Sequence, residues 1–264
     1  MTVPSRAPRY GTPDFEYLGR MAATVPEADG PVYMVNLMKY RDVADYGDGK
    51  PSGRSGREAD NLYAPLEILR DLGAELVFVA EVEEQILGES PKWDRIGIVK
   101  YPTRRAFLEM QQLPDFHAKH VHKEAGMEQT IVMSCLPLPV PELPAVPKAE
   151  LEPGDQPFVM MHILKFADGG QDAMAQYGAT AGAQGLALGV RPEAMFSVEG
   201  TVLGDGRQWD QVRLNRFPGH AIYRQLRANA THQAGQPTRR SALSDTYTMM
   251  LLPTIDRFAE SLPQ

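Results

Sequence analysis

The sequence has few of the features that assign a protein to a large class. Its 264 residues contain one cysteine, Cys135, so no internal disulfide can form. No apolar run approaches the ~18 residues that a membrane-spanning helix needs, and the N-terminus has no hydrophobic signal-peptide core. We therefore expect a soluble, cytoplasmic protein that has no membrane partner.

Positive charge is also scarce. The chain has 27 Lys and Arg against 34 Asp and Glu, a net charge of −7, and no run of basic residues is longer than two. Nucleic-acid surfaces need clustered basic residues, so we expect no nucleic-acid partner. Ser-His-Asp, phosphate-loop, dinucleotide-binding and cysteine-based catalytic motifs are missing as well. The common enzyme classes that these motifs mark are therefore not indicated.

The sequence does contain an internal repeat. Residues 31–42 return in similar form at 157–168, and residues 87–137 return at 203–253, without a gap and 116 positions later. Self-similarity of this kind sets the architecture of a chain, and here it predicts two copies of one small α/β unit.

Each copy has the periodicity of a strand, a helix, two strands, a helix and a strand. In the first copy we predict strands at 32–40, 76–87, 93–101 and 129–136. In the second copy we predict strands at 158–166, 195–203, 209–217 and 246–252. A helix after the capping box of Ser55 and Glu58 should run to Gly73 and kink at Pro65. The predicted fold class is α+β, with two βαββαβ units.

The predicted organisation has four parts. Residues 1–30 form an N-terminal extension with a short helix capped by Asp14, and its first 12 residues should be loosely held. Residues 31–138 form the first repeat and 139–156 an extended Pro-rich linker. Residues 157–264 form a second repeat, which lacks the capping box. Because the copies have diverged, we expect one working site, built mainly from the first.

Several stretches of the first copy carry a resemblance to a known family. They are VYMVNLMKYR at residues 32–41, SGREA at 55–59, the segment 93–110 that begins WDRIGIVKYP, and PDF at 114–116. They resemble the bacterial domain of unknown function 1330 family, which is similar in fold to the dimeric α+β barrel superfamily. The second copy shares only the strand patterns and the Trp-Asp pair at 209–210.

The resemblance implies ferredoxin-like units whose sheets face each other. Where other members pair two chains, this chain would pair its own halves into an intramolecular pseudo-dimeric barrel, with a further homodimer as an option. The family has no settled activity. Proteins on the broader fold include cofactor-free monooxygenases, isomerases and haem enzymes, and this is an analogy of fold alone.

Alternation along the third strand of each copy distinguishes two faces. The apolar face, with Ile96 and its counterpart Val212, should pack on the helices. The polar face, with Arg95 in the first copy and Arg213 in the second, should line the barrel interior if the sheets face each other. Exposure of this face to solvent is the alternative.

Polar residues on the first strands are candidates for a binding site. Asn36 and His162 occupy equivalent positions among apolar neighbours. We expect Asn36 and Tyr40, with His162 across from them and Arg213 nearby, to converge on a small molecule. The alternative for His162 is a hydrogen-bonded core histidine.

Three histidines form the densest titratable cluster. His117 and His120 should share a helix face, with His122 directed elsewhere. One of the first two is a candidate catalytic base; a metal site and solvated helix residues are the alternatives. Separately, Arg57 lies exposed at a helix start and is a candidate to neutralise an anionic ligand.

These observations favour a protein that binds a small, partly apolar organic molecule between sheet and helices. Cofactor-independent oxygenation or isomerisation would accompany binding, with His117 or His120 as base. The competing hypothesis is a non-catalytic ligand sensor or assembly module, so the sequence leaves open whether the protein is an enzyme. We expect no cofactor and no metal.

Overall fold

The computed structural model describes residues 8–140 and 151–262. The expectation of a loosely held N-terminus falls partly on residues 1–7, and that of an extended linker mostly on 141–150; these segments lie outside the described residues. For residues 8–12 the expectation is wrong. Tyr10 is buried, and its carbonyl accepts a hydrogen bond from the amide of Thr130 (2.9 Å).

Strands make up the centre of the molecule, close to where the sequence predicts them. They are β1 (Thr12–Pro13), β2 (Val32–Tyr40), β3 (Glu75–Leu87), β4 (Arg95–Tyr101), β5 (Met127–Pro137), β6 (Phe158–Phe166), β7 (Arg191–Gly204), β8 (Gln211–Phe217) and β9 (Leu243–Asp256).

Helices cover the strands on the outside. They are α1 (Phe15–Ala23), α2 (Gly56–Tyr63), α3 (Leu66–Asp71), α4 (Arg104–Met110), α5 (Pro114–Gly126), α6 (Gly170–Ala187), α7 (His220–Ala228), α8 (Ala230–Ser241) and α9 (Phe258–Ser261). In the described part of the chain, none is long and apolar enough to cross a membrane.

Eight of these strands close into an antiparallel barrel. The order is β7-β5-β2-β4-β3-β9-β6-β8, and β8 pairs back with β7. The strands of the first half follow the order β5-β2-β4-β3, and those of the second half follow the corresponding order β9-β6-β8-β7. The halves meet where β5 pairs with β7 and β3 pairs with β9. The α+β class is confirmed.

Apolar side chains from both halves fill the barrel interior. Ile96 and Val212 are among them. The prediction for the strand faces is therefore wrong, because the polar face lies outside, under the helices: Arg95 contacts α2, and Arg213 lies close to α6. An eight-stranded barrel has just enough room for side chains and no room for solvent, so its interior takes the face without charges.

Pro65 separates two helices instead of kinking one. Helix α2 ends at Tyr63 and α3 begins at Leu66. The residue before a proline is forced away from helical dihedral angles, and Ala64 accordingly has φ −34° and ψ 102°. The break turns the chain over the outer face of the sheet, so that both helices contribute to the wall of a cavity.

One aspartate contact recurs in both halves. Asp94 accepts a hydrogen bond at Oδ2 from the amide of Tyr40 (2.8 Å), at the end of β2. Asp210 accepts the corresponding bond from the amide of Phe166 (2.7 Å), at the end of β6. In each case a lysine pairs with the other carboxylate oxygen. The contact fixes the register between the first and third strands of each half.

Candidate functional site

A large cavity lies between the outer face of the first half's sheet and the helices that cover it. Its volume is about 1430 Å³, and helices α1 to α5 all contribute to its wall. Most of the lining is apolar, including Met34 and Met38 of β2, Leu69 of α3, and Phe107 and Met110 of α4. Such a space is large enough for a small organic molecule.

His120 on α5 is the titratable side chain best placed in this cavity. Its Nε2 lies 2.9 Å from the hydroxyl of Tyr10, and its ring packs against Phe116 and Tyr63. Burial lowers its pKa to about 4, and the ammonium of Lys123 contributes in the same direction. At neutral pH the imidazole is therefore uncharged and available as a base.

Lys123 lies one turn further along α5 and is buried, with 8% of its surface exposed. Its Nζ lies 5.0 Å from the ring centre of Tyr63 and 6.0 Å from that of Tyr10. Among the described residues it forms no ion pair, and Asp60 acts on it only at longer range. Burial lowers the pKa of this ammonium group. A buried cation with no close counter-ion favours a negatively charged group on a ligand.

Asp60 on α2 contacts several polar side chains at one end of the cavity. It accepts a hydrogen bond from the hydroxyl of Tyr40 (2.7 Å), and Nη1 of Arg95 lies 3.4 Å from its Oδ2. Burial raises the pKa of Tyr40, and Asp60 adds to the shift. Arg95 also bonds Glu81 (3.0 Å), which in turn pairs with Arg57.

The cavity brings together only some of the residues that the sequence predicts. Asn36, His117 and His120 line it, His117 being exposed at its edge. The amide nitrogen of Asn36 donates to the carbonyls of Met34 (2.9 Å) and Gly97 (3.3 Å), so both of its N–H groups are used within the protein. Tyr40 and Arg57 do not line the cavity. Tyr40 is hydrogen-bonded to Asp60, which lines it, and Arg57 pairs with Glu81, which contacts the lining residue Arg95.

His162 and Arg213 lie elsewhere, so the predicted convergence of His162 with Asn36 is wrong. Asn36 lies on β2 and His162 on β6, and three strands separate β2 from β6 around the barrel. Nδ1 of His162 lies 3.1 Å from the hydroxyl of Thr248 in the second half. Closure of the barrel directs equivalent outer faces in different directions, whereas the repeat only shows that the positions are equivalent.

Sequence reasoning missed several residues of the cavity. Tyr10 precedes the first repeat, and Asp60 and Lys123 have the sequence context of ordinary helix charges. A signal for Lys123 was present, because Arg239 occupies the same position 116 residues later. Both are buried. A basic residue that recurs at an equivalent buried position in both halves indicates that a positive charge has a role there.

The histidine cluster does not converge. Nδ1 of His122 lies 2.8 Å from the hydroxyl of Tyr46, away from His120 and its partner Tyr10. Within residues 8–140 and 151–262, no three His, Cys, Asp or Glu side chains are grouped so that they could hold a metal ion.

We expect mild acid to destabilise the protein through its buried histidines. The pKa of His120 is lowered to about 4 and that of His162 to about 3, both mainly by burial. Unfolded imidazoles take up protons below pH ~6.5, so the free energy of unfolding should fall from there towards pH 4, by up to ~1.4 kcal/mol per pH unit and histidine. Urea unfolding at pH 7, 6 and 5 measures this slope.

The variant His162→Gln should flatten the slope. His220→Gln is the control with the opposite sign, because Glu83 (2.8 Å) raises the pKa of His220, so that its contribution to stability is lost as pH rises. A His162→Gln variant with the wild-type slope would contradict the prediction.

A closed barrel with helices outside it is the architecture of the dimeric α+β barrel proteins. The crystal structure of an anthrone oxidase-like protein superposes with a TM-score of 0.52 at 12% identity, covering 86% of this chain and 94% of that one. The chain therefore has the dimeric α+β barrel fold.

Other solved structures are similar with lower scores. A protein of unknown function from Rhodopseudomonas palustris is 27% identical over 49% of this chain and 98% of its own, with a TM-score of 0.43. A variant of chlorite dismutase from Candidatus Nitrospira defluvii is 14% identical over 84% and 91%, with a TM-score of 0.49. No protein-family model matches the sequence, and no curated protein matches it.

Proposed function

We propose that the first-half cavity binds a small, partly apolar organic molecule and that the protein abstracts a proton from it without a cofactor, as a step of isomerisation or oxygenation. The observation that carries the proposal is the neutral imidazole of His120 near the ammonium of Lys123, which has no ion pair among the described residues, in a mostly apolar cavity. An acid–base pair of this kind, with both side chains largely buried, suits reactions that pass through an enolate or a phenolate.

His120 acts as the base in this scheme. It takes a proton from carbon or oxygen of the ligand, directly or through the hydroxyl of Tyr10 that is bonded to it. The electron pair left behind moves onto an oxygen of the ligand, where Lys123 stabilises the negative charge. Return of the proton to a different carbon completes an isomerisation with no net redox change. Oxygenation would use dioxygen as the co-reactant at the same anion.

We also propose that the chain is a tandem pair of ferredoxin-like units of the domain of unknown function 1330 type. Residues 31–138 and 157–264 are the units, and together they make an intramolecular pseudo-dimer. The corresponding strand orders of the two halves and the recurring Asp94 and Asp210 contacts support this proposal.

A ligand sensor is the second candidate, and one observation favours it. Phe15, Leu66 and Val121 lie at the cavity and are 60%, 54% and 52% exposed. An apolar rim of this kind suits contact with another protein once a ligand is bound. Sedimentation velocity with and without the ligand distinguishes the candidates, since a sensor changes its assembly state and an enzyme turns the ligand over.

Filling the floor of the cavity should abolish ligand binding. Gly97 lies there, and a Cβ at this position would meet only the end of the flexible Met38 side chain, at 3.3 Å. We therefore expect the side chain added in Gly97→Leu to displace Met38 and enter the cavity. In a thermal-shift screen of small phenols, enones and aromatic carboxylates, we expect hits whose affinity falls at least about tenfold in Gly97→Leu. The matched control is Gly182→Leu on α6, where nothing lies within 4 Å.

For a hit that is turned over, His120→Gln separates binding from catalysis. We expect an unchanged Kd and a loss of about 10²–10⁴-fold in kcat. Equal binding by Gly97→Leu and wild type would refute the cavity as the site. A His120→Gln variant with unchanged turnover would remove His120 as the base.

A further inference from the structure

The second half carries a cluster of basic side chains at the place where the first half has its cavity. His162 lies on β6 and Arg213 on β8, and Arg239 reaches the same outer face from α8. Arg239 donates to the hydroxyl of Thr248 (3.2 Å), which also lies 3.1 Å from Nδ1 of His162. Arg213 and Arg239 correspond by the repeat to Gly97 and Lys123.

Among the residues that the structure describes, neither guanidinium group of this cluster has a carboxylate partner. Within the described residues, Arg213 bonds through Nε to the side-chain amide oxygen of Gln211 (2.5 Å), and Arg239 bonds to the Thr248 hydroxyl. Burial lowers the pKa of both guanidinium groups. The positive charge of Arg239 acts on Arg213 in the same direction, and the charges of both arginines lower the pKa of His162 further. Arginine does not lose its proton at neutral pH, so the positive charge stays uncompensated.

Other arginines of the chain form ion pairs with carboxylates that compensate their positive charge. Arg104 is 6% exposed, the same as Arg239, and it pairs with Asp29 (3.3 Å) and Glu199 (2.7 Å). Arg216, on the same strand β8 as Arg213, pairs with Glu193 and Asp256. Within residues 8–140 and 151–262, acids pair with these arginines and none pairs with Arg239. Arg239 therefore lacks, among the described residues, the counter-charge that Arg104 and Arg216 have, and a bound anion would supply it.

We propose that the cluster of His162, Arg213 and Arg239 is a binding site for an oxyanion, a phosphate, sulfate or carboxylate group. Two guanidinium groups offer paired N–H donors that match the geometry of such a group. His162 and Arg213 are only partly buried, so an anion reaches them from solvent. Helix α6 crosses above with Gly178, where a Cβ would lie 3.2 Å from Nη1 of Arg213, so a glycine leaves room for the guanidinium group.

The site is separate from the first-half cavity and does not depend on the function proposed for it. Other strands of the closed barrel lie between β2, which lines the cavity, and the pair β6 and β8, which carries the cluster. In the repeat, a buried cation is kept at the position of Lys123 and Arg239, while the open space at Gly97 is replaced by the second arginine. The second half therefore has positively charged side chains at the place where the first half has a mostly apolar cavity.

The test is calorimetric titration of the purified protein with inorganic phosphate, sulfate and acetate in turn, at neutral pH and constant ionic strength. We expect saturable binding of one anion per chain, and the ranking of the three identifies the type of oxyanion. Arg213→Gln and Arg239→Gln should each weaken binding at least about tenfold. The control is Arg240→Gln, next to Arg239 but exposed, which should bind as wild type does.

Two further measurements show whether a loss of binding comes from the cluster itself and not from unfolding of the variant. Without added anion, Arg239→Gln should melt no lower than wild type, because it removes an uncompensated buried charge. In NMR titrations, a bound anion should raise the pKa of His162 from its value of about 3. The proposal is overturned if none of the three anions binds saturably up to about 50 mM, or if Arg240→Gln weakens binding as much as Arg239→Gln.

Discussion

Replacing Gly56 with alanine should lower the free energy of unfolding by about 3 kcal/mol or more. A Cβ at Gly56 would lie 2.3 Å from the carbonyl oxygen of Gly126 and 2.6 Å from that of Arg41, both of them backbone atoms. Backbone cannot move aside as a side-chain end can, so the added methyl group has to push α2 away from α5. Chemical denaturation followed by circular dichroism measures the change.

The same substitution elsewhere supplies the control. Gly182 lies within helix α6 with nothing within 4 Å of its added Cβ, so Gly182→Ala should stabilise by ~0.5–1 kcal/mol. A Gly56→Ala variant as stable as wild type would show that α2 and α5 are not in close contact. Because α2 carries Asp60 and α5 carries His120, this contact also sets the spacing of the candidate site.

Replacing Lys123 with methionine should have opposite effects on stability and on binding. Methionine has a similar length and no charge, so removing an unpaired buried ammonium should leave the free energy of unfolding unchanged or raise it by about 1–4 kcal/mol. An anionic ligand in the cavity would lose its counter-ion, at a cost of about 2 kcal/mol, roughly thirtyfold in Kd. Titration with an anionic hit and with its neutral amide analogue measures both parts.

Lys119→Met is the matched control, since Lys119 lies on the same helix but does not line the cavity. It should change neither affinity. If Lys123→Met bound the anionic hit and the amide with unchanged affinities, the ligand would not contact Lys123, and the assignment of oxyanion stabilisation would fail.

The repeat carried most of what the sequence could predict about the fold. Strands β2 and β6 occupy the residues that the periodicity predicts, and the other barrel strands differ by a few residues at their ends. Helix α8 was missed, because Gly235 and Pro237 lower its helical propensity; its signal was Asn229, whose side chain caps the helix by accepting from the amide of Thr231 (2.9 Å). Tertiary packing overrides weak local propensity in such segments.

The candidate site was predictable only in part. Asn36 stood out because a polar side chain among apolar neighbours is visible in one dimension, and His120 stood out because three histidines lie close together in the sequence. Tyr10 did not, because nothing in residues 8–13 shows that this segment returns to pack against α5. The face of β4 was assigned to the wrong side, since alternation separates two faces but does not say which one a closed barrel turns inward.

The sequence by itself predicted that strands and helices follow each other in the same order twice, because a repeated pattern of apolar residues indicates repeated elements. Only the tertiary structure decided which charged side chains lie beside a cavity and which lie together without one. Closing the barrel filled its interior with apolar side chains and turned both polar faces outward under different helices. One face then holds His120 and Lys123 around a cavity, and the other holds Arg213 and Arg239. The physical reason is that burial, and with it the pKa of each buried group, depends on contacts between residues far apart in the chain.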